Sequence, residues 1–150
     1  MMRGITTTGL VFVGATALLT ATGFIGSPSQ ATQKCLHGPD STPEQKERRR
    51  EALSATRNIN NMQANQPGAR AGRYVHHEDL AGSPFVQKDT SPSLKRLNLT
   101  PGEDILPGWQ LTLDVADDTY WFMIKDKTDP CGFAFISNKN GLIYTAEPLR

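Results

Sequence analysis

The sequence predicts an α+β domain in which one long N-terminal amphipathic helix packs on a four-stranded antiparallel meander, with a loop-rich middle between them. Three observations predict it. A helix-start signature at Thr42-Pro43 opens a run whose apolar residues recur every three to four positions. From Trp109 onward the apolar period shortens to two. Asn140-Gly141 then stands between the last two apolar runs, where a tight hairpin turn requires positive φ.

The first residues do not belong to that domain. "MMRGITTTGLVFVGATALLTATGFIGSPSQA" has one basic residue, Arg3, an apolar run over residues 9–26, and the small-residue pattern Ser29-Gln30-Ala31. This is the layout of a secretory signal peptide, so residues 1–31 read as a leader cleaved after Ala31 and residues 32–150 as a single domain. The alternative is an uncleaved membrane anchor over residues 9–26, a run near the lower length limit for a span and weakened by Thr20, Thr22 and several glycines. Lys34 directly before Cys35 does not fit a lipoprotein cleavage site.

The helix is expected over about residues 43–66. Thr42 serves as N-cap, Pro43 suits the first helical position, and Gln45 completes a capping box, with Glu44 and Glu47 at the positive end of the dipole. Ala52, Ala55, Ile59 and Met62 form one narrow apolar stripe beside Leu53, and Gln66-Pro67-Gly68 ends it. The opening turns, "EQKERRRE", show no apolar face. Arg48, Arg49 and Arg50 there read as a solvated surface laced by pairs with Glu44, Glu47 and Glu51, or as a docking patch for an acidic partner.

Residues 67–107 are rich in Gly, Pro, Ser and charge, which predicts irregular loops with one short helical turn near His77–Ala81. "HHED" at 76–79 is the cluster there able to do acid–base or metal chemistry, although it has no third ligand at a useful spacing. Asn98-Leu99-Thr100 matches a glycosylation acceptor in a eukaryotic secretory route.

The sheet is expected over about residues 109–146. In "WQLTLDV", Trp109, Leu111, Leu113 and Val115 alternate with polar residues, as in a half-buried strand. Ala116-Asp117-Asp118 forms a turn. "TYWFMIK" places Tyr120, Phe122 and Ile124 on one face and Trp121 and Met123 on the other, which predicts a central strand covered at least in part on both sides. "FAFIS" and "LIYTA" supply the third and fourth strands.

Cysteine and charge bound the chemistry. An exported chain with two cysteines is expected to bridge them, Cys35 to Cys131; the alternatives are two free thiols, or a Cys/His metal site drawing on His37, His76 or His77, for which no CxxC or HxxxH spacing exists. No cofactor is implied. Removing Arg3 with the leader leaves equal numbers of basic and acidic groups, so nucleic acid is a poor partner. The charge is unevenly distributed, with +4 over residues 34–96 and −4 over 97–150. Arg48, Arg49 and Arg50 at one end, with Asp117 and Asp118 at the other, are therefore candidate contacts to a protein partner or a second copy. A membrane contact is expected only if the leader stays uncleaved.

The helix "EALSATRNINNMQANQ", the loop-rich middle and the ending "YWFMIKDKTDPCGFAFISNKNGLIY" resemble, over roughly residues 50–145, the globular heads of bacterial type IV pilin-like proteins and pseudopilins. The resemblance implies an exported bacterial assembly domain. A pilin is cut between a glycine and a phenylalanine, with Glu at the fifth mature position; here Gly23-Phe24 is followed by Pro28 at that position, so the filament-forming stalk and its cleavage motif are missing. Two function classes follow. One is a secreted or periplasmic, non-enzymatic binding or assembly domain stabilised by one disulfide. The other is a small secreted hydrolase using His76 or His77 with Glu78 or an Asp from 114–118, against which stands the lack of a nucleophile motif or of H-E-x-x-H spacing.

Overall fold

The computed structural model describes residues 34–147. The expected leader 1–31, its cleavage after Ala31 and the alternative anchor over residues 9–26 lie outside them. Among the described residues no helix is long and apolar enough to cross a membrane.

Helix α1 spans Pro43–Ala64, and its start is set by chemistry local to the sequence. The Thr42 side chain accepts from the Gln45 N–H at 3.2 Å, and the Gln45 side chain accepts from the Thr42 N–H at 2.8 Å. The helix ends at Ala64, with Asn65 as C-cap, two residues short of the expected limit. A 3-10 turn at Ala69–Ala71 and three short α-helices follow, α2 (His77–Leu80), α3 (Pro84–Lys88) and α4 (Pro92–Lys95), where the sequence suggests one turn. The two extra α-helices share a device. Ser83 and Ser91 cap them, accepting from Val86 and Leu94 N–H, and a proline fills the first turn of each.

The fold is α+β, and its antiparallel sheet has five strands, not four, in the order β1-β2-β3-β4-β5. These are β1 (Asp104–Leu106), β2 (Trp109–Ala116), β3 (Thr119–Asp126), β4 (Ala134–Asn138) and β5 (Ile143–Ala146). The added strand falls in the stretch expected to be loop. Three residues are too short to show a two-residue period, and β1 is held by context: it pairs with β2 through Asp104↔Gln110 and Leu106↔Trp109, and the Asp104 carboxylate accepts from the Gly108 N–H at 3.1 Å.

Register decides which residues form the core. Leu111↔Ile124↔Phe135 and Leu113↔Phe122↔Ser137 run across β2, β3 and β4 on the inner face. Trp109, Phe122, Ile124, Phe133 and Phe135 are buried there against Ala52, Ala55, Ile59 and Met62 of α1, with Leu80, Leu94 and Leu99 contributed by the middle segment. The helix packs across β4 and beside α4. Among the described residues the outer face has no such layer: Trp121, on the central β3, remains 43% exposed.

Candidate functional site

Before α1, the chain is strapped to the loop between β3 and β4. Cys35 and Cys131 form a disulfide with their Cα atoms 5.2 Å apart and 96 residues between them in sequence. The Sγ of Cys35, one His37 ring nitrogen and one Asp129 carboxylate oxygen lie within 4.8 Å of one another. The bridge consumes the sulfur as a thiolate ligand, so this grouping works as a strap and not as a Cys/His metal site. His76 and His77 are not part of it.

His37 sits between two carboxylates. Its Nδ1 lies 2.6 Å from Asp129 Oδ2 and its Nε2 lies 3.3 Å from Glu147 Oε2, while the ring leans on Phe133 at 5.0 Å. Burial acts to raise the Asp129 carboxyl, but hydrogen bonds from His37 and from the Cys131 and Leu36 N–H groups, with the His37 charge, hold it below its ordinary value. The arrangement resembles half of a catalytic triad, an acid orienting a histidine. Glu147 occupies the far ring nitrogen, and no serine or threonine hydroxyl bonds to it among the described residues. With a carboxylate at each ring nitrogen, His37 ties the segment before α1 to the β3–β4 loop and to the residue after β5.

The three arginines of α1 separate. Arg48 turns inward: its guanidinium lies 3.3 Å from the buried Asp126, donates to Thr128 Oγ1 at 3.0 Å, and stands 5.7 Å over the Trp109 ring. Arg49 donates to the Leu36 carbonyl at 2.8 Å and to Ser41 Oγ at 3.1 Å, holding the strap from the helix side. Only Arg50 stays at the surface, paired with Glu47 one turn earlier. At the other end of β3, Asp117 is exposed in a left-handed turn position with φ 49°, and Asp118 takes Lys139 at 3.8 Å. The basic and acidic candidates thus occupy opposite ends of β3, although two of the arginines already have structural partners.

Beside its apolar stripe, α1 buries a polar ridge of Thr56, Asn60 and Gln63. Gln63 grips Val75 at both backbone groups, donating to its carbonyl at 2.7 Å and accepting from its N–H at 2.9 Å. Asn60 exchanges hydrogen bonds with Ser137 and accepts from the Tyr120 hydroxyl at 3.1 Å. Burial, with Tyr74 close by, pushes the Tyr120 hydroxyl up to about 12, so it stays a protonated donor. Above this network lies an open groove of about 330 Å³, edged by Arg57, Asn61, Lys139 and Asn140.

The histidines singled out by sequence stand apart from any such network. His76 is the exposed N-cap position of α2, and His77 is partly buried. Burial pulls His77 below its ordinary value, opposed by the Glu78 charge. Neither makes a hydrogen bond or ion pair to a carboxylate among the described residues, and Asp114 instead accepts from the Trp121 indole N–H at 3.0 Å. Asn98 is exposed and is engaged by Glu103 and by the Thr100 N–H.

A different candidate emerges from the outer face. The register aligns Thr112↔Met123↔Ile136↔Tyr144 across β2 to β5, flanked by Asp114↔Trp121↔Asn138 on one side and Gln110↔Lys125↔Ala134↔Ala146 on the other. Trp121 at 43%, Leu142 at 56% and Tyr144 at 53% are the large hydrophobic residues left exposed among the described residues. The two sheet edges differ as well. Short, irregular β1, bounded by Pro101-Gly102 and Pro107-Gly108, makes a poor template for another strand. Strand β5 and the residue before it present Leu142-Ile143-Tyr144-Thr145-Ala146 without a charge. The sequence places Trp121 and Met123 on the second face of β3 and predicts at least partial cover there; the signal for an open face is the polar partner positions Gln110, Thr112 and Asp114 on β2. Comparison of the chain with protein-family models, known proteins and solved structures finds no match.

Proposed function

We propose that this protein is an exported, non-enzymatic binding and assembly domain that works through the outer face of its sheet. The observation that carries this reading is the contiguous apolar group of exposed Trp121 and Tyr144 with half-buried Met123 and Ile136, which no layer covers among the described residues, whereas the other face is closed by a helix. Exposed apolar surface of this kind, rimmed by polar groups, marks a contact surface. The strap at Cys35–Cys131 suits an oxidising compartment and agrees with a cleaved leader. Likeness to pilin-head sequences supports a domain that assembles. Arg50, Asp117 and Asp118 then act at the two ends of β3 to orient the encounter, a role in association rate more than in affinity.

Site-specific photo-crosslinking in exporting cells tests the reading. A crosslinker at position 144 should give a discrete protein adduct, and one at exposed Glu51, on the helix that covers the opposite face, should give none. Equal labelling at both positions, or none at 144, sinks it. His76→Ala with His77→Ala should leave both the adduct and the biological activity unchanged; loss of activity in a folded double variant would favour the hydrolase.

A further inference from the structure

We propose that the occupant of the outer sheet face is a second copy of this chain, packed face to face about a two-fold axis that lies across the strands and passes through the middle row. This rests on the binding reading above and names its partner. The register supplies the geometry. A two-fold in that position sets the row Thr112, Met123, Ile136, Tyr144 against the same row of the other copy. It also exchanges the two flanking rows. Trp121 then lies over the partner's Lys125, a cation on an aromatic face, and Asp114 comes within one strand spacing of the same ammonium group.

Charge selects this axis over the alternative. Asp114 and Lys125 are both exposed, sit at opposite ends of the face, and share no ion pair with each other within the chain. A two-fold running along the strands would keep each charge at its own end, opposite neutral rows, and leave both unpaired. The axis across the strands brings unlike charges together twice, once at each end. The area suits a reversible dimer: strands β2 to β5, of 8, 8, 5 and 4 residues, at ~3.4 Å per residue and ~4.8 Å spacing give a projected face of roughly 400 Å² per copy. A face of this size falls with weak, transient contacts, below the ~600 Å² per partner of stable interfaces, which is why the dimer is expected to be reversible.

Sedimentation velocity of the full chain, expressed from its first methionine, tests the proposal over a wide concentration range. A reversible monomer–dimer equilibrium is expected. Met123→Glu with Ile136→Glu should abolish it, with far-ultraviolet circular dichroism unchanged. Lys125→Glu alone and Asp114→Lys alone should each weaken dimerisation about tenfold, because each sets like charges against each other across the axis. An equimolar mixture of those two single variants should recover association as a heterodimer, since both cross-axis pairs are then of opposite sign. A chain that stays monomeric at all concentrations, a dimer insensitive to the Met123/Ile136 change, or a mixture no tighter than its components overturns the proposal. A monomeric chain whose position-144 crosslink goes to another protein overturns self-association and leaves the binding reading standing. A monomeric chain with no adduct sinks both.

Discussion

On β3, Tyr120 and Phe122 lie at 3% and 0% exposure, whereas Trp121 between them stands at 43%. The same strand thus serves two surfaces with opposite histories of burial. The inner surface is closed by α1, by the strap at Cys35–Cys131, and by a polar ridge in which Asn60 and Gln63 find partners. The outer surface carries comparable apolar side chains with no described layer over them. In this molecule, hydrophobic content alone does not separate core from contact surface. What separates them is whether the polar side chains around the apolar ones are turned inward and satisfied, as with Asn60 and Gln63, or left in water, as with Gln110, Thr112 and Lys125.

The inner side should therefore be where substitutions are costly, and the bridge should dominate. A loop of 96 residues corresponds to about 4–5 kcal/mol in the chain-entropy account, and native bridges in small secreted domains contribute about 2–5 kcal/mol. Cys131→Ser with Cys35→Ser should lower unfolding free energy by that amount in urea titration. A loss below about 1 kcal/mol would mean that His37, Arg49 and Ser41 hold the strap without covalent help.

Arg48 comes next. Asp126 is 4% exposed, and Arg48→Glu would leave it buried opposite another acid, which predicts a loss of about 2–4 kcal/mol, below the full buried-pair cost because Arg48 is itself 32% exposed. Arg50→Glu, two residues away at the surface, should change stability by less than about 0.5 kcal/mol. Equal effects of the two substitutions would erase the distinction between inward and outward arginines. The contrast also means that reversing all three arginines together tests folding before it tests any partner contact.

Acid gives a smaller, graded probe of the same side. The Asp129 carboxyl is held below its ordinary value of 3.8 in the fold. Its contribution to stability is therefore fully present above that value and is lost as pH falls through the lower, folded value. Asp129→Asn should flatten the stability curve below about pH 4. An unchanged acid limb would show that other carboxylates set it.

Much of this was legible in the sequence, and the gaps have physical causes. The capping box at Thr42–Gln45, the period change at Trp109 and the Asn140-Gly141 turn are local signals, and each is found where the sequence places it. Strand β1 was not legible, because three residues carry no period. Helices α3 and α4 were legible in principle through Ser83-Pro84 and Ser91-Pro92, a cap followed by proline, but each is too short to show an apolar face. The inward turn of Arg48 also had a signal. It lies four residues before Ala52 on the same helical stripe, so its aliphatic stem extends the buried face while its charge reaches Asp126. Arg49 likewise lies seven residues before Thr56, in line with the polar ridge of Thr56, Asn60 and Gln63. A search for apolar periodicity passes over both. For His37 the signal covered one partner: His37 and Asp129 each stand two residues from a cysteine of the expected bridge, whereas Glu147 is brought to it by the β4–β5 pairing, which no local pattern announces.

The smallest expected effect is the most discriminating. Trp121→Lys with Tyr144→Lys removes two large apolar side chains, yet neither contributes to the inner core, and both positions are already 43% and 53% exposed. Trp121 donates one hydrogen bond to Asp114 on the same face, and a lysine there keeps an ion-pair partner for that carboxylate. Thermal unfolding under conditions that keep the chain monomeric should therefore shift by less than the equivalent of about 0.5 kcal/mol, as for ordinary surface changes. The same variant should lose the position-121 and position-144 surface needed for association. A pair of aromatic residues that matters for contact and not for folding is the signature of an open face. A loss of several kcal/mol in the monomer would instead place Trp121 and Tyr144 inside a packed layer, and the difference between the two faces of β3 would disappear.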